Sequence, residues 1–277
     1  MAQDHYREFR SAVDRPDERI DLGYAALAIA STANPGLDIS SYLARIDELA
    51  AEVKRLRNPG NDLYHSLAAL NYVLFNRHGF RGNRDDYYDP KNSFLHEVLD
   101  RKLGIPISLS VLYMEVARRI SINAQGVGFP GHFLVKCDTE TEPIFIDPFH
   151  RGEIKLPDDL SQMLESLSGR KVLLRPEFLE GASKKQILKR MLANLKAIYL
   201  GNDSLKEALS VLDQLIILDP AAGDEIRDRG TLYLRIGSLS QACDDFERYL
   251  QLAPDAPDAA TIREQITTLA RERRFLH

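Results

Sequence analysis

The stretch that decides the fold is "GIPISLSVLYMEVARRISINAQGVGFPGHFLVKC", residues 104–137. Its first part predicts a helix from Pro106 to about Ile120, because a proline in the first helical turn has no N–H to leave unpaired. Short apolar and β-branched runs bounded by glycine, proline and acidic residues then predict strands. These runs are "AQGVGF", "HFLVKC" and "IFIDPF". A helix packed on an antiparallel sheet makes the fold class α+β.

The segments on either side of this region have helical patterns. Residues 1–80 contain apolar residues at helical spacing, broken by Asn-Pro-Gly at residues 34–36 and 58–60. We expect these helices to form an N-terminal segment that packs on the domain after it. The predicted organisation is this helical segment (1–80), the α+β domain (81–182) and an all-α domain (183–277).

The last of these domains contains an internal repeat. Aligning "AIYLGNDSLKEALSVLDQLIILDP" with "TLYLRIGSLSQACDDFERYLQLAP" gives an offset of 34 residues. The matching pairs are Tyr199 and Tyr233, Leu205 and Leu239, Ala208 and Ala242, Leu212 and Phe246, Leu218 and Leu252, and Pro220 and Pro254. This period, with a small residue in the second helix and a closing proline, is typical of tetratricopeptide repeats. We expect a protein or peptide partner to bind in the groove of these repeats.

Composition restricts the class of protein. The 277 residues carry a formal net charge of −5, which argues against direct nucleic-acid binding, since that requires a concentrated basic face. The apolar runs are too short to cross a membrane, and the polar first residues predict no secretory signal. Cys137 and Cys243 are far apart and predict neither a disulfide framework nor a zinc site. A cytoplasmic location follows as the expectation.

Residues 104–137, taken with "FIDPFHRG", resemble the transglutaminase-like superfamily, a papain-related fold. In that family a Gly-x-Cys sequence opens the central helix, and a histidine and an aspartate on the following strands complete a triad. His132 and Asp147 match the histidine and the aspartate, whereas Pro106 stands at the position of the cysteine. The resemblance therefore implies a transglutaminase-like domain without thioester chemistry, because proline offers no nucleophilic atom.

A closer resemblance covers nearly the whole chain. The stretches that carry it are "NSFLHEVLDRKLGIPISLSVLY", "GVGFPGHFLVK", "LRPEFL" and "RMLANLKAIYL". They are similar to the bacterial SirB family, which joins a transglutaminase-like domain to tetratricopeptide repeats and is described as regulating sirC expression. The resemblance implies a regulatory protein. Together with the proline at residue 106, it favours an adaptor that acts through a protein partner, uses no cofactor and is not an enzyme.

The alternative from the residues is a hydrolase or amidase. Ser108 lies in the first turn of the helix, where its hydroxyl could attack a substrate with His132 as base and Asp147 orienting the imidazole. The other interpretation is that the hydroxyls of Ser108 and Ser110 bond to the local backbone or cap the helix, which is commoner for serine in a first turn. His132 itself could be a base, a donor to a bound ligand, or a buried histidine that ties two strands together through Asp147.

Asn71, Asn92 and Tyr113 are the candidates for ligand binding in the cleft. Asn71 is the most suggestive, because an amide among apolar residues must find a hydrogen-bond partner. No metal site is expected, since His65, His78, His96, His132 and His150 are scattered and the spacings HExxH and CxxC do not occur. Cys137 is predicted to be a buried structural thiol.

Overall fold

The computed structural model describes residues 5–57 and 62–275, with the side chains described as far as residue 270. These residues form two compact units, with the boundary between Met191 and Leu192. The first unit contains helices and a small antiparallel sheet, and the second contains helices. The predicted α+β class is confirmed.

The chain begins with four helices, and aspartates set the starts of the last three. The carboxylates of Asp21, Asp38 and Asp62 each accept a hydrogen bond from a backbone N–H in the first turn that follows, which stabilises the helix start. The sequence did not predict the first of the four helices. The expected break at residues 58–60 lies outside the described residues. The helices are α1 (Arg7–Val13), α2 (Leu22–Ser31), α3 (Ile39–Leu56) and α4 (Leu63–Asn71), the last continued by a wider π-helical turn at Tyr72–Arg77.

The central helix is preceded by a short parallel strand pair that the sequence did not predict. The elements are β1 (Arg81–Gly82), α5 (Leu95–Arg101), β2 (Leu103–Gly104) and α6 (Pro106–Arg119), with β1 paired to β2. Every residue of α6 from Pro106 to Ala117 is buried. Helices α2 and α3 pack against α6, so the N-terminal helices form one wall around it.

A four-stranded antiparallel sheet follows, with its strands in chain order. The strands and the next helices are β3 (Gln125–Val127), β4 (Leu134–Cys137), β5 (Ile144–Asp147), β6 (Glu153–Lys155), α7 (Pro157–Ser168) and α8 (Lys184–Gly201). Helix α6 packs against β3 and β4. Leu160 and Leu164 of α7 pack with Val127, Leu134 and Phe145 of the sheet. This packing places the ends of β4 and β5, where the functional candidates lie, beside α6.

The C-terminal unit has the predicted repeat architecture. Its helices after α8 are α9 (Leu205–Leu218), α10 (Gly223–Arg235), α11 (Leu239–Leu252) and α12 (Ala259–Phe275). Ala208 and Ala242, the small residues of the repeat, are fully buried. The helices approach closely at Gly230, where a Cβ atom would lie 2.9 Å from the ring of Phe246. Small residues are therefore needed where paired helices meet.

Candidate functional site

His132 and Asp147 are hydrogen-bonded in the interior. The Nε2–H of His132 donates to Oδ2 of Asp147 over 2.9 Å, and the two residues are 8% and 0% exposed. His132 was predicted on a strand, but it lies in the turn before β4, where Gly131 adopts a φ of +71°. Asp147 is the last residue of β5. The fold therefore brings together two of the three residues of the predicted Ser-His-Asp set.

A second imidazole shares the same carboxylate. The Nδ1–H of His150 donates to Oδ2 of Asp147 over 2.7 Å. The other oxygen, Oδ1, accepts the backbone N–H groups of Phe149 and His150 over 3.1 and 3.3 Å. Sequence reasoning missed His150, although Asp-Pro-Phe-His places an aspartate three residues before a histidine at the start of a turn. Asp147 is therefore held by four donors.

These donors determine the ionisation of Asp147. Burial alone would favour the neutral acid, but the hydrogen bonds from His132 and His150 outweigh it. The pKa of Asp147 is consequently held well below its usual range. The carboxylate is an anion in the interior whose charge is compensated by two imidazole donors.

Arg190 fixes the turn that carries His132. The Nη2 of this α8 residue donates to the carbonyl oxygens of His132 over 2.6 Å and of Phe129 over 3.2 Å. Its guanidinium also stacks 5.4 Å from the centre of the Phe133 ring. Arg190 lies 58 residues after His132, so no local sequence signal indicated this contact.

Ser108 stabilises the start of α6. Its hydroxyl donates to the carbonyl oxygen of Asn92 over 2.6 Å and accepts the backbone N–H of Ile105 over 3.1 Å. In the part of the chain that the structure describes, no hydrogen bond joins Ser108 or Ser110 to His132, and the buried hydroxyl of Ser110 has no hydrogen-bond partner. The Ser108 hydroxyl is bonded to nearby backbone, which is one of the two alternatives that the sequence left open for this residue.

The candidate binding residue Asn92 organises the loop before α5. Its amide oxygen accepts from Asn83 Nδ2 over 3.0 Å, and its own Nδ2 donates to the carbonyl oxygens of Asp86 and Tyr87. The side chain is fully buried. The amide oxygen and nitrogen of Asn92 are therefore both hydrogen-bonded inside the protein.

Asn71 and Tyr113, the other two candidate binding residues, contact each other. The hydroxyl of Tyr113 donates to Oδ1 of Asn71 over 3.0 Å, and Nδ2 of Asn71 donates to the carbonyl oxygen of Gly152 over 2.9 Å. Burial raises the pKa of Tyr113 well above its usual value. This chain of hydrogen bonds ties α4 and α6 to the turn that follows His150, so both residues position the site.

Cys137 is completely buried, as expected for a structural thiol. Burial raises the pKa of its thiol to about 12. The thiol therefore stays protonated near neutral pH and is unsuited to nucleophilic attack.

Comparisons with known proteins extend these observations. Residues 40–193 match the transglutaminase-like superfamily, and residues 195–267 match the tetratricopeptide repeat. Over 269 residues the chain is 36% identical to the UPF0162 protein of Xylella fastidiosa (strain Temecula1), a match that covers 94% of each chain. The chain belongs to the UPF0162 family.

Other relatives show how far this architecture extends. The UPF0162 protein of Vibrio cholerae is 28% identical over 260 residues, covering 94% of this chain and 96% of that protein. Human F-box only protein 21 is 31% identical over 220 residues, which is 68% of this chain and 34% of the human protein. No solved structure matches this UPF0162 chain. None of the helices among its described residues combines the length and apolar character that a membrane crossing requires.

Proposed function

We propose that this UPF0162 protein is a non-catalytic regulatory or adaptor protein of the cytoplasm that binds a protein or peptide through its tetratricopeptide helices. The observation that carries the proposal is the start of α6, where Pro106 offers no nucleophile and the Ser108 hydroxyl is hydrogen-bonded to Asn92. The transglutaminase-like domain then serves as a folded scaffold. An effect on gene expression, such as the sirC regulation described for the SirB family, would follow from the bound partner.

The C-terminal unit supplies a candidate contact for that partner. A cavity of about 530 Å³ lies where α10 begins and α11 ends. Its charged groups are paired with one another, since Arg227 bonds to Asp258 over 3.1 Å and the Tyr249 hydroxyl donates to Asp258 over 2.6 Å. Leu252, at the edge of the cavity, is 44% exposed. A partner would therefore gain most by burying an apolar side chain here.

The test compares two substitutions on the same unit. Leu252→Asp should abolish capture of the partner by the immobilised full chain, because it places a charge at an apolar contact. Ile236→Asp is the control, since Ile236 is 47% exposed and lies outside the cavity lining. Loss of the same protein with Leu252→Asp and its retention with Ile236→Asp supports the proposal. Equal capture by both variants contradicts it.

The second candidate is the hydrolase or amidase, which the intact His132–Asp147 hydrogen bond favours. A serine-reactive fluorophosphonate should then label the folded protein, and Ser108→Ala should remove the label. Labelling of that kind, with no partner captured, would replace the adaptor proposal with the enzyme.

A further inference from the structure

His132, Asp147 and His150 bring three metal-ligating atoms together. These atoms lie within 4.8 Å of one another, and within the described ranges no other group of three or more such residues does so. We propose that the three residues bind one divalent transition-metal ion of the zinc type. The sequence had indicated no metal site, because His132 and His150 are 18 residues apart and only the turn after β5 brings both to one carboxylate.

The donor set selects the class of ion. Two imidazole nitrogens and one carboxylate oxygen suit zinc and neighbouring first-row ions, whereas magnesium and calcium prefer oxygen ligands. The nitrogens lie 2.9 and 2.7 Å from Oδ2 of Asp147. Ligands at about 2.0–2.2 Å from a metal are about 3.0–3.4 Å from one another, so each nitrogen–oxygen separation needs to widen by only a few tenths of an ångström. The two imidazole nitrogens lie within 4.8 Å of each other and would move together as the ion binds. Each imidazole would bind the ion through the nitrogen that now faces the carboxylate, so in a neutral imidazole the N–H proton would shift to the other ring nitrogen.

The surroundings hold the ligands in place. Oδ1 of Asp147 accepts two backbone N–H groups, which orients Oδ2 toward the imidazoles. The Phe149 ring packs edge-on against His132 and His150, with ring centres 6.0 and 5.2 Å apart. Outer contacts of this kind orient metal ligands and raise affinity.

The site also has an open side. The His132 side chain is 8% exposed and that of Asp147 is 0%, whereas the His150 side chain is 31% exposed. An ion can therefore enter beside His150, and water can complete its coordination there. Three protein ligands and an open position are typical of zinc sites that bind a further molecule.

The experiment uses the full chain without an affinity tag, stripped of metal, and titrated with Zn²⁺ by calorimetry and with Co²⁺ by absorbance. One equivalent should bind, and His150→Ala should weaken binding at least tenfold, about the effect of disturbing a metal site's ligation. His65→Ala is the matched control. His65 makes the same kind of pair with an aspartate three residues earlier, Nδ1 to Oδ1 of Asp62 over 2.8 Å, and no third ligand joins this pair among the residues that the structure describes.

X-ray absorption at the zinc edge provides a readout that needs no variant. In the wild-type chain it should show two imidazoles on the bound ion. Absence of saturable Zn²⁺ and Co²⁺ binding, unchanged affinity in His150→Ala, or an equal loss in His65→Ala would each overturn the proposal and leave a hydrogen-bonded His-Asp-His unit. The result is independent of partner capture by the C-terminal unit, because the substitutions lie in the other unit.

Discussion

The Ser108 hydroxyl donates a 2.6 Å hydrogen bond to the carbonyl oxygen of Asn92, across 16 residues of chain. This contact joins the start of α6 to the end of the polar loop before α5. Ser110, two residues further along the same helix, is equally buried, but its hydroxyl has no hydrogen-bond partner among the described residues. The hydrogen-bonded hydroxyl of Ser108 therefore stabilises the fold, whereas burial of the unpaired Ser110 hydroxyl destabilises it.

We expect Ser108→Ala to lower the free energy of unfolding by about 1–3 kcal/mol, because it leaves the Asn92 carbonyl and the Ile105 N–H without their partner. Ser110→Ala should be neutral or stabilising, since it removes a buried hydroxyl that makes no hydrogen bond. Urea unfolding monitored by circular dichroism measures the free energy of unfolding of both variants. Equal losses would contradict the assigned role of Ser108.

Gly152→Ala should be strongly destabilising. Gly152 has a φ of +76°, and an added Cβ would lie 2.3 Å from Oδ1 of Asn71. Gly79→Ala is the control, because Gly79 has a φ of +72° with no atom within 4 Å of the added carbon. In the control, the free energy of unfolding should fall by about 1–2 kcal/mol, which is the conformational penalty alone. In Gly152→Ala it should fall by more. Thermal unfolding of both variants tests the close approach of Asn71.

In the C-terminal unit, Arg229→Ala should cost about 3–5 kcal/mol because it leaves a buried carboxylate uncompensated. Arg229 bonds to both oxygens of Asp245, a residue 5% exposed, and to Asp213. The exposed pair of Arg235 and Asp203 provides the comparison, and Arg235→Ala should change stability by about 0–1 kcal/mol. A similar loss of stability in the two variants would show that the buried pair stabilises the fold no more than the exposed pair does.

The Cys137 thiol predicts a pH dependence of stability. Its pKa rises from 9.0 to about 12 on folding because of burial. Between these values the unfolded chain loses the thiol proton while the folded chain keeps it, so stability should fall as pH rises from about 9 toward 12. Urea unfolding at pH 8 and pH 10 should therefore show a smaller alkaline loss in Cys137→Ala than in the wild type. An identical loss would contradict the burial of this thiol.

The elements that the sequence predicted are those with strong local patterns. Pro106 and the mainly apolar residues after it mark the start of a helix, and the offset of 34 residues marks the repeat. The pairing of Arg81–Gly82 with Leu103–Gly104, by contrast, involves two residues on each side and depends on tertiary packing. Strand β6 has three residues, of which two are charged, so it lacks the apolar run that reveals a strand.

The candidate site was predictable only in part, because some of its contacts depend on how distant segments of the chain pack together. His132 and Asp147 were found through the family resemblance, and their hydrogen bond agrees with it. His150 reaches the same carboxylate through the turn after β5, and Arg190 reaches His132 from a distant helix. The sequence left two roles open for Ser108, because a serine near a helix start looks the same in sequence whether it attacks a substrate or bonds to backbone.

The bond from Asn71 to Gly152 spans 81 residues. A contact between such distant parts of the chain forms only after the intervening segments have come together, since the entropy of loop closure must first be overcome. We therefore expect the turn that carries His150 to become ordered after α4 and α6 have assembled. During refolding, amide protons of the turn at residues 148–152 should gain protection from hydrogen exchange later than those of α6.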